Sequence, residues 1–509
     1  MSKIKADSIL YITFFFNSLV LGWIINTVNI QQIRTNRQVN NITYGFSLVH
    51  NQTINSIDNY WYINHIKNYL KTGEFTYDTT SRLNAVRRTP LYPMFYGLHY
   101  VVFGEAGSFK AIKITQMLLY ACSAVLLYIA TFRFTGNKKV ALLTYLIYAT
   151  FLPFITYLSY TITEAVSPAL NCIFLYFLSR TKQNNTIKNW LCSGIMFSIL
   201  VLTRPNSIFV IFSVLFLLIY YSKQSLKKIL YNGLAFVLGS ILFFLPWMIH
   251  NYKKTNGDII LLEKYYGDQM DYGMPNMHLK YWIASWMNPG DYSSEIISNA
   301  CIHTIIYQPE TDKYKFTDSL LQKTPSAAWK GNKRQDVRDA YLSLYDYYYS
   351  KINHVHKDTL AQLEAKSIEN FNQLKTEFIK QAPFYHYVLV PLQYAKSLIF
   401  QSNSSTLAFL QNYESNPLLY FLKLYLYIFN IICYISLPLL LILYKKYKDI
   451  FWITLLYVSS TFFIIMYVNK NFEVRYTYTY FPMLFMCVAI VITEISNSLF
   501  VRLNRLKQH

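Results

Sequence analysis

Residues 9–29 read ILYITFFFNSLVLGWIINTVN, an apolar run that contains no charged side chain. Lys3 and Lys5 lie just before it in a short polar start. A helix of roughly 20 apolar residues crosses a hydrocarbon core of about 30 Å. Because no small-residue cleavage site with a polar mature start follows the run, we expect it to remain as the first membrane span rather than be removed as a signal peptide.

Further apolar runs of similar length recur along the rest of the chain. They cover residues 114–132, 140–158, 161–179, 187–203, 207–222, 229–249, 418–444, 450–468 and 476–498. The composition agrees with them, because 53% of the 509 residues are hydrophobic and only 14% are charged. A single soluble core cannot bury that much apolar surface. The sequence therefore predicts an all-α polytopic membrane protein with about ten transmembrane helices.

The short connections between these runs carry their cations mostly on one side of the membrane. Lysine and arginine in short loops are retained on the cytoplasmic side. The cations on that side are Lys3, Lys5, Arg133, Lys138, Lys139, Arg180, Lys182, Lys188, Lys223, Lys227, Lys228, Lys445, Lys446, Lys448, Arg502, Arg505 and Lys507. Both termini are therefore expected in the cytoplasm, and the two long segments between runs are expected outside it.

This topology divides the chain into three predicted parts. Residues 1–250 form a membrane domain with a first external loop at 30–110, residues 251–417 form an external loop domain with a helix near 358–381, and residues 418–509 form the C-terminal membrane helices. The net charge of +21 matches cytoplasmic cations that meet anionic lipid headgroups. No DNA-binding or RNA-binding motif accompanies that charge, so nucleic acid is not an expected partner.

Several short motifs lie in the predicted external loops or at the external ends of spans. They are Asp58 four residues before Tyr62, Arg88-Thr89-Pro90-Leu91-Tyr92-Pro93, Leu202-Thr203-Arg204-Pro205, Pro246-Trp247 with His250, and Glu473-Val474-Arg475-Tyr476. Their order resembles that of the polyprenyl-phosphate-sugar glycosyltransferases with the GT-C fold, which include protein O-mannosyltransferases and lipid A aminoarabinose transferases. The clearest departure is His250, where that family usually has arginine.

The resemblance implies that a sugar moves from a polyprenyl-phosphate donor to a lipid, glycan or protein acceptor, with inversion at the anomeric carbon. The active site would lie on the external face of an integral protein of a bacterial cytoplasmic membrane. No soluble cofactor is implied. A metal site is not predicted either, because the external histidines lack a companion carboxylate at ligand spacing.

Two carboxylates are candidates for the catalytic chemistry. An acceptor hydroxyl is a weak nucleophile, and Asp58 is the candidate base that takes its proton. The alternative role for Asp58 is an N-cap of the helix that follows it. Glu164 is a candidate second acid that orients the acceptor or the sugar, although Thr161-Ile162-Thr163-Glu164 also fits a capping box.

Four cationic or titratable side chains are candidates for binding the donor phosphate: Arg88, Arg204, His250 and Arg475. The alternative for them is snorkelling to lipid headgroups. The candidates for a substrate groove are Tyr62, Tyr92, Trp247 and Tyr476, which would otherwise belong to an aromatic belt at the membrane surface.

Two other functions fit the same polytopic sequence: a transporter or flippase of lipid-linked glycans, and a polymerase of such glycans. Paired repeats and broken helices are common in transporters, and neither is apparent in the sequence. Convergence of Asp58, Arg88 and Glu164 on one external cavity favours an enzyme, whereas a continuous central pathway favours transport.

Overall fold

The computed structural model describes residues 2–40, 46–78, 82–223, 225–262, 274–287, 297, 312–411, 413–469 and 474–506. Helices make up nearly all of the regular structure in these residues. They are α1 Ser2–Asn40, α2 Ile57–Thr72, α3 Leu91–Thr135, α4 Lys138–Thr150, α5 Leu152–Tyr157, α6 Ser167–Gln183, α7 Ile187–Thr203, α8 Ile211–Ser222, α9 Leu226–Thr255, α10 Met274–Trp286, α11 Lys313–Lys323, α12 Arg334–Ile352, α13 Lys357–Gln381, α14 Val390–Ile399, α15 Pro417–Leu439, α16 Tyr444–Phe463 and α17 Phe481–Leu506.

The chain forms two compact units. The first unit comprises Met1–Glu263, Phe400–Thr461 and Val474–His509, and the second comprises Lys264–Ile399 and Phe462–Glu473. The second unit contains α10 to α14 and has its own core, in which Trp282, Tyr341 and Phe371 are buried. The helix predicted near 358–381 is confirmed as α13.

Seven of the described helices are long and apolar enough to cross a membrane. They are Asp7–Thr35, Leu91–Thr135, Pro205–Ser222, Leu226–Thr255, Pro417–Leu439, Tyr444–Val468 and Phe481–Val501. All of them coincide with runs predicted from the sequence. The prediction of an all-α polytopic membrane protein is confirmed.

The three remaining predicted spans correspond to shorter helices. The run at 140–158 is divided into α4 and α5, because the backbone of Phe151 is extended and Pro153 lies in the first turn of α5. The run at 161–179 begins with a 3₁₀ turn, and α6 starts only at Ser167. The run at 187–203 forms α7, an apolar helix of 17 residues.

Helix α3 is divided in two by a break at Gly104. Its 45 residues would extend for about twice the hydrocarbon thickness of a bilayer if they were continuous. Gly104 has φ 67° and ψ −176°, a conformation that a side chain disfavours. The first part, up to Phe103, exposes large apolar side chains such as Leu98, Val101 and Val102, which suit contact with lipid.

A short hairpin holds the start of α2 near the segment between α5 and α6. Strands β1 Leu48–Val49 and β2 Thr53–Ile54 pair antiparallel. The Ile54 N–H then donates to the Ser159 carbonyl oxygen at 2.8 Å. This contact fixes residues just before α2 beside residues just before the 3₁₀ turn Thr163–Ala165.

Two glycines allow α7 and α9 to approach each other closely. A Cβ added to Gly194 would lie 2.0 Å from the Phe236 carbonyl oxygen, and one added to Gly239 would lie 2.2 Å from the Leu191 carbonyl oxygen. Both neighbours are backbone atoms that cannot move aside cheaply. Small residues at such crossings are typical of helices packed within membranes.

Candidate active site

Asp58 lies in the first turn of α2 and does not cap that helix. The cap is Ser56, whose hydroxyl oxygen accepts a hydrogen bond from the Asp58 N–H at 3.2 Å. The helix ends at Gly73, whose φ of 77° is left-handed and therefore favours glycine. The N-cap alternative for Asp58 is wrong, because Ser56 already fills that position and leaves the Asp58 carboxylate for other partners.

Those partners are two arginines from distant parts of the chain. Arg88, which lies in the turn before α3, donates from Nη2 to Asp58 Oδ1 at 3.0 Å. Arg475, in the 3₁₀ turn Val474–Thr477, donates from Nη1 to Asp58 Oδ2. The carboxylate thus bridges two guanidinium groups. Its side chain is 17% exposed, and those of Arg88 and Arg475 are 33% and 25% exposed.

Glu164 lies deeper, in the 3₁₀ turn before α6 and outside the seven candidate spans. Its Oε1 is 3.0 Å from Arg204 Nη1 and 3.3 Å from Arg475 Nε. The capping-box alternative is wrong, because α6 begins at Ser167 and Val166 at its N-cap makes no side-chain cap bond. The Glu164 carboxylate is used in ion pairs instead.

The five side chains form one ion-pair cluster, which we call the site cluster: Asp58, Arg88, Glu164, Arg204 and Arg475. Burial alone would raise the pKa of Glu164, but the charges of Arg204 and Arg475 outweigh burial and hold that pKa at about 2. With both carboxylates ionised, three guanidinium groups face two negative charges. The charges of these five side chains sum to +1, and the partly exposed Arg88 and Arg475 are placed to bind an anion.

Thr163 is a member of this site that the sequence did not single out. Its hydroxyl oxygen accepts a hydrogen bond from Arg204 Nη1 at 3.1 Å, and its hydroxyl donates to Glu164 Oε2 at 3.0 Å. The Tyr62 hydroxyl lies 3.5 Å from the same oxygen. The sequence places Thr163 only in the capping-box pattern of residues 161–164. The signal that the sequence offered for Thr163 was its hydroxyl group directly before Glu164, a candidate acid.

Part of the chain is similar to known proteins. Residues 87–250 match the sequence model of a family described as dolichyl-phosphate-mannose-protein mannosyltransferase. The match confirms the resemblance to GT-C-type glycosyltransferases. A protein of Aquifex aeolicus described as uncharacterized is 30% identical over 204 residues, which cover 37% of this chain and 39% of that relative. The chain thus spans well under half of that relative's length.

The region that matches the family contains only part of the site cluster. Arg88, Glu164 and Arg204 lie inside residues 87–250, whereas Asp58 and Arg475 lie outside them. The fold nevertheless brings all five side chains together. Glu473, the first residue of the motif Glu473-Val474-Arg475-Tyr476, lies outside the residues that the structure describes.

His250, the departure from the GT-C pattern, is found in a neighbouring aromatic cluster. We use that name for Trp61, His65, Phe75, Tyr77, Trp247 and His250. The His250 ring stacks on Trp247 with 5.0 Å between ring centroids, and its Nε2 lies 3.4 Å from the Ala85 carbonyl oxygen. The described contacts of His250 are thus to aromatic rings and backbone. They do not include the carboxylates of the site cluster.

The four tyrosine and tryptophan candidates occupy different environments. Tyr92 and Trp247 are buried; the Tyr92 hydroxyl donates to Gln116 Oε1 at 2.9 Å, and Trp247 Nε1 donates to the Leu261 carbonyl oxygen at 3.0 Å. These two are therefore packed in the interior rather than on an open groove. Tyr62, which is also buried, and Tyr476, which is half-buried, lie closer to the site cluster. The ring of Tyr62 is 5.4 Å from the Arg88 guanidinium, and that of Tyr476 is 5.5 Å from the Arg204 guanidinium.

Arg87 is a second residue that the sequence reasoning did not select. Its guanidinium lies 4.1 Å from the Trp61 ring centroid, and its Nη1 donates to the Tyr77 hydroxyl oxygen at 2.7 Å. The adjacent residues Arg87 and Arg88 thus belong to different clusters, since Arg88 pairs with Asp58.

Among the residues that the structure describes, no group of three or more His, Cys, Asp or Glu side chains is arranged to hold a metal ion.

Proposed function

We propose that the protein transfers a sugar from a polyprenyl-phosphate carrier to an acceptor hydroxyl on the external face of a membrane. The observation that carries this proposal is the bridge from Asp58 to Arg88 and Arg475. It combines a carboxylate with two partly exposed guanidinium groups in a cluster with an excess positive charge. The family match over residues 87–250 supports the choice of a lipid-phosphate-linked sugar as donor.

The donor phosphate replaces Asp58 on the two arginines. A phosphodiester carries one negative charge, as does the carboxylate, and guanidinium groups bind either anion through paired N–H donors. Arg88 and Arg475 hold the phosphate, and the Asp58 carboxylate is released towards the acceptor. This exchange explains how a carboxylate with two cationic partners becomes available as a base.

The reaction then proceeds by displacement at the anomeric carbon. The acceptor oxygen forms a bond to that carbon from the face opposite the phosphate, and Asp58 takes the hydroxyl proton. The bond between the anomeric carbon and the phosphate oxygen breaks, and its electron pair goes to that oxygen. Arg88 and Arg475 stabilise the charge that develops there. The products are the glycosylated acceptor, inverted at the anomeric carbon, and the polyprenyl phosphate.

Convergence in the site cluster favours an enzyme over a transporter. Asp58 and Arg88 are in direct contact, and Glu164 joins them through Arg475. Convergence of these residues is what a transfer site requires. Polymerisation of lipid-linked glycans would use the same chemistry with a glycan as acceptor. An assay that compares a lipid-linked glycan with other acceptors therefore distinguishes a polymerase from a transferase to a different acceptor.

The test is incubation of the purified protein with candidate polyprenyl-phosphate sugars and acceptors, with measurement of released polyprenyl phosphate. Arg88→Ala should weaken donor use by about 1.5 to 3 kcal/mol, the contribution of a hydrogen bond to a charged group. Arg88→Lys should restore part of this loss, because lysine keeps the charge but lacks the planar fork.

Arg87→Ala is the matched control, because it removes the same charge one residue away without a contact to Asp58. Donor use in this variant should stay near that of the wild type. Equal donor use by wild type and Arg88→Ala would contradict the assigned phosphate site. Movement of the intact lipid-linked sugar across a bilayer without release of polyprenyl phosphate would favour the flippase.

A further inference from the structure

The site cluster has an exposed part and a buried part. Asp58, Arg88 and Arg475 are between 17% and 33% exposed, whereas the side chains of Glu164 and Arg204 are 4% and 6% exposed. A donor phosphate can therefore reach the first three side chains more readily than the last two. Glu164 and Arg204 also neutralise each other, so the excess charge belongs to the exposed part.

The buried pair contacts Arg475 from two directions. Glu164 Oε1 lies 3.3 Å from the Arg475 Nε, so it binds the side chain. Arg204 Nη2 donates to the Arg475 carbonyl oxygen at 2.8 Å, so it binds the backbone. Thr163 links the two members of the pair through its hydroxyl. The Arg475 Nη1 is thereby directed towards Asp58.

From this geometry we infer that Glu164 and Arg204 are positioning residues, which orient Arg475 for the donor phosphate and do not themselves contact the substrate. The inference rests on the proposed function for the role of Arg475. It assigns Glu164 a role other than catalytic acid and Arg204 a role other than phosphate ligand. A buried ion pair contributes little net stability on average, whereas fixing a phosphate-binding arginine before the donor arrives lowers the entropic cost of binding.

A double-mutant cycle tests the inference through binding rather than turnover. The probe is farnesyl phosphate, a short polyprenyl phosphate, and the measurement is its dissociation constant for the purified full-length protein. Arg204→Lys keeps a cation beside Glu164 but loses the fork that also reaches the Arg475 carbonyl oxygen. We expect this variant to bind the probe roughly tenfold more weakly than the wild type, equivalent to one lost hydrogen bond.

The decisive comparison uses two backgrounds. In Arg475→Ala, the change Arg204→Lys should weaken binding by less than about twofold, because the side chain to be oriented is gone. In Arg88→Ala, which leaves Arg475 in place, most of the tenfold effect should persist, because the Arg475 side chain still has to be oriented by Glu164 and Arg204. Equal effects of Arg204→Lys in both backgrounds, or no effect in the wild type, would overturn the inference.

Thr163→Val provides a second cycle if Arg204→Lys folds poorly. It removes the hydroxyl that links Glu164 to Arg204 with little change in side-chain size, and the same pattern of coupling to Arg475 is expected. The proposed function fails in a different way, namely when farnesyl phosphate binding does not depend on Arg88 or Arg475. In that case no cycle is needed to detect the failure.

Discussion

At the scale of single residues, Asp58→Asn separates catalysis from substrate binding. Asparagine cannot accept the proton, so turnover should fall by about a hundredfold to ten-thousandfold with a hydroxyl acceptor. The neutral amide also competes less well than a carboxylate for Arg88 and Arg475. Binding of a polyprenyl phosphate should therefore tighten by about 1.5 kcal/mol, roughly tenfold. Near wild-type transfer to a hydroxyl acceptor would remove Asp58 from the role of base.

Ser56→Ala is the control for this prediction, because Ser56 caps α2 without belonging to the site cluster. Loss of the cap should cost about 1 kcal/mol of stability, seen as a lower melting temperature. Turnover below the melting temperature should remain near that of the wild type. A collapse of turnover in the folded variant would mean that the capped start of α2, rather than the Asp58 carboxylate, is what the reaction needs.

The sequence singled out the five charged residues of the site cluster, but it did not single out Thr163 and did not show which of the five contact one another. Asp58, Arg88 and Arg475 stand in recognisable motifs, yet their contacts join positions far apart in the chain, which local patterns do not reveal. The capping alternative for Asp58 could not be dismissed until the structure showed Ser56 in that position. Arg204 differs from Arg88 and Arg475 in being buried. The pair Arg204-Pro205 does not by itself show that the arginine is buried.

At the scale of helices, the docking of α2 should depend on pH through His65. This side chain is fully buried, and its pKa is lowered to about 4. Burial is the largest cause; the Trp61 carbonyl oxygen opposes the shift, and Arg88 and His250 add to it. The folded protein therefore keeps His65 neutral where the unfolded chain takes up a proton. Stability should be fully present above about pH 6.5 and fall by about 1.4 kcal/mol per unit as the pH drops towards 4.

Thermal unfolding of the detergent-solubilised protein at pH 7.5, 6 and 5 measures this effect. In His65→Gln the slope between pH 7.5 and 5 should become flatter, since glutamine does not titrate in that range. An unchanged slope in His65→Gln would show that other groups cause the acid sensitivity. Glu164 contributes little between pH 7.5 and 5, because an unfolded glutamate, with a pKa of about 4.3, takes up few protons above pH 5 and the folded pKa is about 2.

The crossing of α7 and α9 gives a second prediction at this scale. Gly194→Ala places a methyl group against the Phe236 carbonyl oxygen, so the two helices must separate. Overpacking of this kind typically lowers the free energy of unfolding by about 1–3 kcal/mol. A loss of roughly 3 kcal/mol is expected here, because the neighbouring atom belongs to the backbone and cannot rotate away. Gly22→Ala is the control, because its added Cβ lies 3.8 Å from Leu158 Cδ1. Equal melting temperatures for both variants would contradict the close approach.

The apolar runs predicted the positions of the helices better than their lengths. The run at 9–29, which contains no proline, corresponds to a continuous helix. The run at 229–249 is also continuous although it contains Pro246, whereas 140–158 is divided at Phe151 and Pro153. The break of α3 at Gly104 was not predicted, because residues 30–110 were predicted as an external loop and only 114–132 as a span, whereas α3 begins at Leu91. Its positive φ depends on packing that a sequence pattern does not describe.

At the scale of the whole molecule, the cation pattern predicts both termini and residues 223–228 in the cytoplasm and residues 30–110 and 251–417 outside. Three exposed lysines are suitable sites for cysteine labelling: Lys71 in α2, Lys227 in α9 and Lys366 in α13. In intact cells an impermeant thiol reagent should label Lys71→Cys and Lys366→Cys but not Lys227→Cys, with the wild type as the background. Labelling of Lys227→Cys alone would reverse the topology and move the proposed reaction to the cytoplasmic face.

The bridge from Asp58 to Arg88 and Arg475 also matters once the sugar has left its carrier. Under the proposed reaction, a phosphodiester with one negative charge becomes a phosphomonoester with a charge of about −1.5 to −2 near pH 7. The same two guanidinium groups then hold the spent carrier more tightly than they held the donor. Once Asp58 has released the proton to solvent, its carboxylate can return to the arginines and offset this retention, so one side chain takes the proton and later helps to release the product.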